Sequence, residues 1–170
     1  VNKQSNLISE NSYLETLLTK AQTQRTEVDR PSWDSIFMAI AHVIAQRSPD
    51  SQTKVGAVLV DSNHHVLSLG YNGWVPGIDD SILPNTRPSK YPFMLHAELN
   101  CVLQCTHRPV GATLYVTHKP CLHCFSVCVA SGISELVYRN IDTFTAPSEE
   151  DNFAILRHLT ENKIVLRSVS

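Results

Sequence analysis

Two short polar segments constrain this chain more than any other feature: His96-Ala97-Glu98, and Pro120-Cys121-Leu122-His123-Cys124. Each opens a stretch of helical periodicity, so each presents its reactive side chains at a helix start. One imidazole and two thiolates supply three protein ligands and leave a fourth tetrahedral position for water, the pattern of a catalytic zinc site. The positive end of a helix favours thiolate over thiol, and Pro120 at a helix start forfeits no hydrogen bond. Glu98, two residues beyond the imidazole, is placed to move protons for an activated water. Any fold adopted must bring these two distant helix starts together. Two other readings use the same residues. Cys121 and Cys124 form a redox-type pair, which gives His96 and Glu98 no role; a closed structural zinc site would need Cys101 or Cys105 as a fourth ligand.

Five cysteines, an odd number, argue against a disulfide framework and for a reduced compartment. No basic start followed by an apolar run stands near Val1, so the cytoplasm is the expected location. The longest apolar stretch, residues 37–45, is interrupted by His42 and falls short of the ~20 residues that span a bilayer. At 170 residues, 42% of them hydrophobic, the chain is long enough for one well-filled core. Its 14 basic and 16 acidic side chains leave no positive excess to neutralise a polynucleotide backbone.

Leu14, Leu17, Leu18 and Ala21 recur at helical spacing, predicting an amphipathic helix over about 13–28 within an N-terminal extension, residues 1–30. Pro31 ends it, and residues 31–170 form the main domain. There Ser32 caps a helix whose buried face is expected to hold Trp33, Ile36, Phe37, Ile40, Ala41 and Ile44. Residues 54–61 and 65–71 read as a hairpin, with His64 and His65 solvated at its turn. Residues 72–92, rich in Gly, Pro and Asp, exceed the ~12–15 residues beyond which structureless connections are usually functional, so this loop is expected to cover a site. Helices at 96–106, 122–130 and 149–159 then alternate with strands at 113–117, 135–139 and 163–167. That alternation implies an α/β fold with helices on the faces of a mixed sheet.

Seven segments in order carry a resemblance: Ala45-Gln46-Arg47-Ser48, Val55-Gly56-Ala57, Gly70-Tyr71-Asn72-Gly73, Lys90-Tyr91-Pro92, His96 to Asn100, Tyr115-Val116-Thr117 and Pro120 to Cys124. From about Arg30 onward the chain resembles the deoxycytidylate deaminases of the zinc-dependent cytidine/deoxycytidylate deaminase superfamily. The resemblance implies a three-layer cytidine deaminase-like fold, with a mixed five-stranded sheet flanked by helices. It implies hydrolysis of dCMP to dUMP and ammonia, supplying thymidylate synthesis, in a homo-oligomer, commonly a hexamer, activated by dCTP and inhibited by dTTP. Carried over by position, His96, Cys121 and Cys124 would bind Zn²⁺ and Glu98 would shuttle protons. Asn72 and Ala97 would contact substrate, and Arg47 its 5′-phosphate. Gly73, Gly77 and Asp80 would meet the nucleotide effector, with Asp79 and Asp80 either holding its Mg²⁺ or simply solvated. The chain departs from the family pattern in Trp74-Val75-Pro76-Gly77, where proline commonly comes earlier. It also lacks a tyrosine over residues 139–144, where Phe144 is the candidate to stack on the base.

Several residues keep two readings. Arg87 and Lys90 either bind phosphate or solvate the loop. Cys101, Cys105 and Cys128 read as core, and His123 as a spacer facing away from the metal. His42, His107, His118 and His158 have no partner spacing that suggests a site. Three functions compete: an enzyme acting on a free cytosine nucleotide, a deaminase of tRNA or single-stranded nucleic acid, and a non-catalytic nucleotide-binding protein. The balanced charge speaks against the second, and intact Glu98 against the third.

Overall fold

The computed structural model describes residues 15–16, 18–20, 30–139 and 147–169. The chain divides into two units, Val1–Pro31 and Ser32–Ser170. In the first, residues 15–16 and 18–20 are helical and Leu18 is exposed, while Arg30 and Pro31 are irregular; Leu14, Leu17 and Ala21 lie outside the described residues.

The second unit begins with α1, Trp33–Ala45, capped as expected by Ser32, whose hydroxyl accepts from the Ser35 N–H. Strands β1 (Gly56–Val60) and β2 (Val66–Tyr71) form an antiparallel hairpin. The segment that follows is less irregular than its composition predicts, because β3 (Gly73–Trp74) pairs with β4 (Met94–Leu95) and pinches its ends together. Then come α2 (Ala97–Gln104), β5 (Thr113–Val116), α3 (Leu122–Ser131), β6 (Glu135–Arg139), α4 (Pro147–Leu159) and β7 (Val165–Val169). The main sheet runs β2-β1-β5-β6-β7, antiparallel on one side of β5 and parallel on the other. β7 begins two residues later than the spacing predicts, because Lys163 closes a turn onto Thr160 and Ile164 is drawn into the core ahead of the strand.

Alternation along β1 explains the three layers. Ala57 and Leu59 point into one cluster with Leu114, Phe125, Cys128 and Leu136, under α2 and α3. Val58 and Val60 point the other way, with Phe37, Met38, Ala41, Tyr115 and Val137, under α1. Every residue of β1 is buried, as expected for a strand covered on both faces. Each large side chain in these clusters contributes roughly 1.5–3 kcal/mol.

Two glycines set how closely the helices sit. A Cβ at Gly56 would collide with the Ala41 carbonyl of α1, and one at Gly70 with the Ala97 carbonyl and Cys101 N–H of α2. Because Ala41 rests on Gly56, the buried stripe of α1 is Phe37, Met38, Ala41 and Ala45, rotated from the stripe predicted. Trp33 and Ile36 are consequently exposed, and Trp33 stacks on His64 at 4.4 Å between ring centroids. His64 is exposed in its turn, as expected, and is also an aromatic partner of α1. An Asp34–Arg167 pair spans 133 residues: Arg167 Nη1 and Nη2 donate to the Asp34 carboxylate at 2.6 and 2.9 Å, fastening β7 to the start of α1.

Among the described residues, no helix is long and apolar enough to cross a membrane. Cys101 and Cys128 are buried in the core, where burial pushes the Cys101 thiol up to about 12.

Candidate metal centre and active site

α2 and α3 both point their starts at one cavity. His96 is the N-cap of α2 and Cys121 the N-cap of α3, each in an extended backbone conformation that throws the side chain off the helix end. Cys124 lies one turn further on and is buried. The Cys121 sulfur accepts from the Cys124 N–H at 3.5 Å, so a helix-start donor holds it as the sequence reading expects.

The His96 Nδ1 stands 3.5 Å from Cys121 Sγ and 3.4 Å from Cys124 Sγ, and the three ligand atoms lie within 4.8 Å of one another. Tetrahedral ligands with zinc–sulfur bonds of ~2.3 Å and zinc–nitrogen bonds of ~2.0–2.1 Å stand about 3.6 Å apart. The triangle therefore fits a zinc ion, as does its chemistry of imidazole and thiolate. Hydrogen bonds from Cys124 and His96 hold the Cys121 thiol down to about 4, while Cys124, sharing the proton, is pushed up. The His96 imidazole is raised by its bond to Cys121. His123 is exposed and faces away from this cluster.

Glu98, in the first turn of α2, is 4% exposed, and burial pushes its carboxyl well above the ordinary glutamate value. It lines a cavity of about 240 Å³ together with His96, Ala97 and Cys121. Such a space suits one small ligand. Asn72 also lines this cavity. Its amide is closely held: Oδ1 accepts from the Val55 N–H at 2.8 Å, while Nδ2 donates to the Thr53 carbonyl at 2.9 Å and Asp50 Oδ2 at 3.2 Å. Asp50 Oδ1 in turn accepts from Gln52 N–H, Thr53 N–H and Lys90 Nζ at 2.8, 3.1 and 2.6 Å. Burial pushes the Asp50 carboxyl up, but Lys90 and the two backbone donors together hold it below its ordinary value.

Arg47 does not reach this cavity. It is exposed at the end of α1 and lines a second one, of about 230 Å³, with Tyr71, Trp74, Gly77, Asn100 and Gln104. The cations that line the first cavity are Arg87, Lys90 and Lys119. Lys90 is 1% exposed and so does not solvate the loop. Arg87 donates to Thr53 Oγ1 at 2.7 Å. Lys119 pairs with Glu150 and lies 5.0 Å from the centroid of the Phe153 ring, which brings the start of α4 to the cavity rim. His118 also lines the cavity; its imidazole is lowered by burial and by the charge of His42, and its Nδ1 lies 3.0 Å from Thr117 Oγ1.

Asp50, His118, Lys119 and Phe153 had no signal in the sequence beyond their types. Lys90-Tyr91-Pro92 is one of the seven resembling segments, but that resemblance gives Lys90 no role in the site. Of the effector candidates, Gly77 lines the second cavity with a positive φ of 89°, Gly73 is buried in β3, and Asp80 starts a short 3-10 turn. Asp79 caps that turn by accepting from the Ser81 N–H and hydroxyl at 2.9 and 2.7 Å. Phe144 lies outside the described residues.

Residues 31–140 match the family described as the cytidine and deoxycytidylate deaminase zinc-binding region. A human deoxycytidylate deaminase is 37% identical over 117 residues, covering 65% of this chain and 66% of the human protein. A deoxycytidylate deaminase of Mycobacterium phage D29 is 39% identical over 129 residues, covering 65% of this chain and 97% of the phage protein. Among solved structures, a dCMP deaminase from the cyanophage S-TIM5 in complex with dCMP and dUMP superimposes with a TM-score of 0.67 at 26% identity, over 84% of this chain and 100% of that one. The mixed five-stranded sheet, the His/Cys/Cys triangle and these likenesses agree: the chain belongs to the cytidine and deoxycytidylate deaminase family.

Proposed function

We propose that the chain hydrolyses dCMP to dUMP and ammonia. The observation that carries this reading is the convergence of the His96/Cys121/Cys124 triangle and buried Glu98 on one cavity of single-ligand size. Similarity to a deaminase crystallised with dCMP and dUMP selects the nucleotide.

His96, Cys121 and Cys124 would hold Zn²⁺, which when bound supplies a Lewis acid able to make hydroxide available near neutral pH. Glu98 does the proton work. Its raised pKa suits a group that accepts a proton from water, donates one to the pyrimidine N3, and later delivers one to the departing amine. In the balance, the C4–NH₂ bond of cytosine breaks, water supplies the C4 oxygen, and ammonia carries away the amine. Ala97, fully buried between the ligand and the shuttle, lines the cavity beside the base. Asn72 contacts the sugar side. Arg87 and Lys119, and not Arg47, offer the charge for the 5′-phosphate.

The second cavity, with Arg47 and Gly77, is where dCTP and dTTP would act, the first raising and the second lowering turnover. Assembly as a hexamer and work in the reducing cytoplasm, supplying dUMP for thymidylate, belong to the same reading; the thiolate ligands need that reducing setting.

The deciding assay offers zinc-loaded protein dCMP, CMP, deoxycytidine, dCTP and a tRNA anticodon stem, and measures ammonia. Preferred turnover of dCMP is expected, faster with dCTP and slower with dTTP. Turnover of the tRNA stem without dCMP, or of nothing at all, would overturn the proposal.

A further inference from the structure

We propose that the buried Asp50–Lys90 ion pair is a positioning element that fixes the Asn72 side-chain amide in one orientation, so that Asn72 meets the nucleotide as a hydrogen-bond acceptor. The inference rests on the reading above, in which Asn72 faces the substrate.

Counting donors and acceptors gives the orientation. Both Nδ2 hydrogens are committed, to the Thr53 carbonyl and to Asp50 Oδ2, and one lone pair of Oδ1 takes the Val55 N–H. What remains for a ligand is the second Oδ1 lone pair, which suits a hydroxyl donor and not a carbonyl. A flipped amide would set Oδ1 against a carboxylate and a carbonyl, and the NH₂ against an N–H, so three contacts would turn repulsive together. This argument holds only while Asp50 is a pure acceptor. Its side chain is 4% exposed and would favour the neutral acid without compensation. Lys90, 1% exposed and 2.6 Å away, supplies that compensation from a position 40 residues further along the chain. Folding of the segment that carries Lys90 over the cavity and orientation of Asn72 are therefore one event. Neither Asp50 nor Lys90 needs to touch the reacting atoms for this.

Two variants test it. Asp50→Glu keeps the charge pair and moves the carboxylate by one methylene. Asp50→Asn combined with Lys90→Met removes both charges together, which spares the stability that losing one partner would cost. Both are expected to fold and to hold zinc, with KM for dCMP raised about tenfold or more and kcat changed less. Either variant, folded and with parental KM, would show that the pair merely fastens the loop and would overturn the proposal.

A second readout needs no substrate and no variant to fold. The Asn72 side-chain amide protons, assigned by NMR, are expected to exchange slowly in the parent protein, and exchange at the rate of an exposed amide would overturn the proposal. In the double variant exchange is expected to quicken about tenfold or more. Slow parental exchange in a protein that does not turn over dCMP would leave the positioning element standing and defeat the substrate reading instead.

Discussion

On one wall of the site every reactive side chain leaves a helix start: His96 and Cys121 are N-caps that line the cavity, Glu98 lines it from the first turn of α2, and Cys124, buried, completes the metal triangle from the first turn of α3. In the rest of the lining, Asn72, Asp50, Arg87 and Lys90 come from connections between elements and are held by hydrogen bonds that span 17 to 40 residues. The first wall is specified locally, because an N-cap fixes where its side chain points. The rest of the lining exists only once the fold has closed. Short motifs therefore announce the chemistry and say little about the ligand.

The sharpest way to break this contrast is Glu98→Ala. Turnover of dCMP is expected to fall by about 10²–10⁴-fold while zinc content, measured by metal analysis, stays at the parental value. The melting temperature is expected to be no lower than the parent's, since a buried carboxyl is removed. Lost zinc would show that the reactive wall is not built of independent local pieces. The support beneath that wall is tested by Gly70→Ala, whose new methyl group would force α2 away from β2. Urea unfolding is expected to show a loss of about 3 kcal/mol, and an unchanged midpoint would remove Gly70 as the determinant of that crossing.

Arg87→Ala addresses the rest of the lining. KM for dCMP is expected to rise about tenfold, with little change for deoxycytidine, which has no phosphate. Arg47→Ala is expected to leave the effector-free KM unchanged and to blunt the response to dCTP. The reverse pattern would return the phosphate to Arg47.

The smallest effect is expected at Asp34, which is not part of the cavity lining. The Arg167 hydrogen bonds, opposed by burial and helped by Tyr115, hold its carboxyl below the ordinary value. Its contribution to stability is therefore present above the unfolded carboxylate value of about 3.9 and lost as pH falls through the lower folded value. Asp34→Asn is expected to cost under about 1 kcal/mol near neutrality, a difference from the parent that shrinks below about pH 4. A difference in melting temperature that stays constant down to pH 2 would show that the ion pair is not its source.

The order and type of the elements are legible because periodicity and capping are local: Ser32 caps α1, and residues 135–139 form β6 as their β-rich run predicts. The buried stripe of α1 is legible only in part: Phe37 and Ala41 are buried as expected, but Met38 and Ala45 take the place of Trp33 and Ile36, because Gly56 admits Ala41 at one register and nothing in the periodicity of α1 records that glycine. Arg47, offered for the 5′-phosphate by resemblance, lies just past the end of α1 and lines the second cavity, a placement that sequence spacing alone does not give. Lys90, which the sequence leaves open between phosphate binding and loop solvation, is an interior residue because of its distant partner Asp50, a pairing no local pattern records.

Tyr71 and Asn72 are chain neighbours, yet Tyr71 borders the cavity with Arg47 and Asn72 the cavity with Glu98. α2 repeats the division: Ala97 and Glu98 look one way and Asn100 the other, and the Asn100 Nδ2 donates to the Tyr71 carbonyl at 2.9 Å. The two cavities are thus lined by residues joined through the Tyr71–Asn72 peptide, whose carbonyl Asn100 holds, and through the first turn of α2. A shift of that one peptide would therefore alter the lining of both cavities at once.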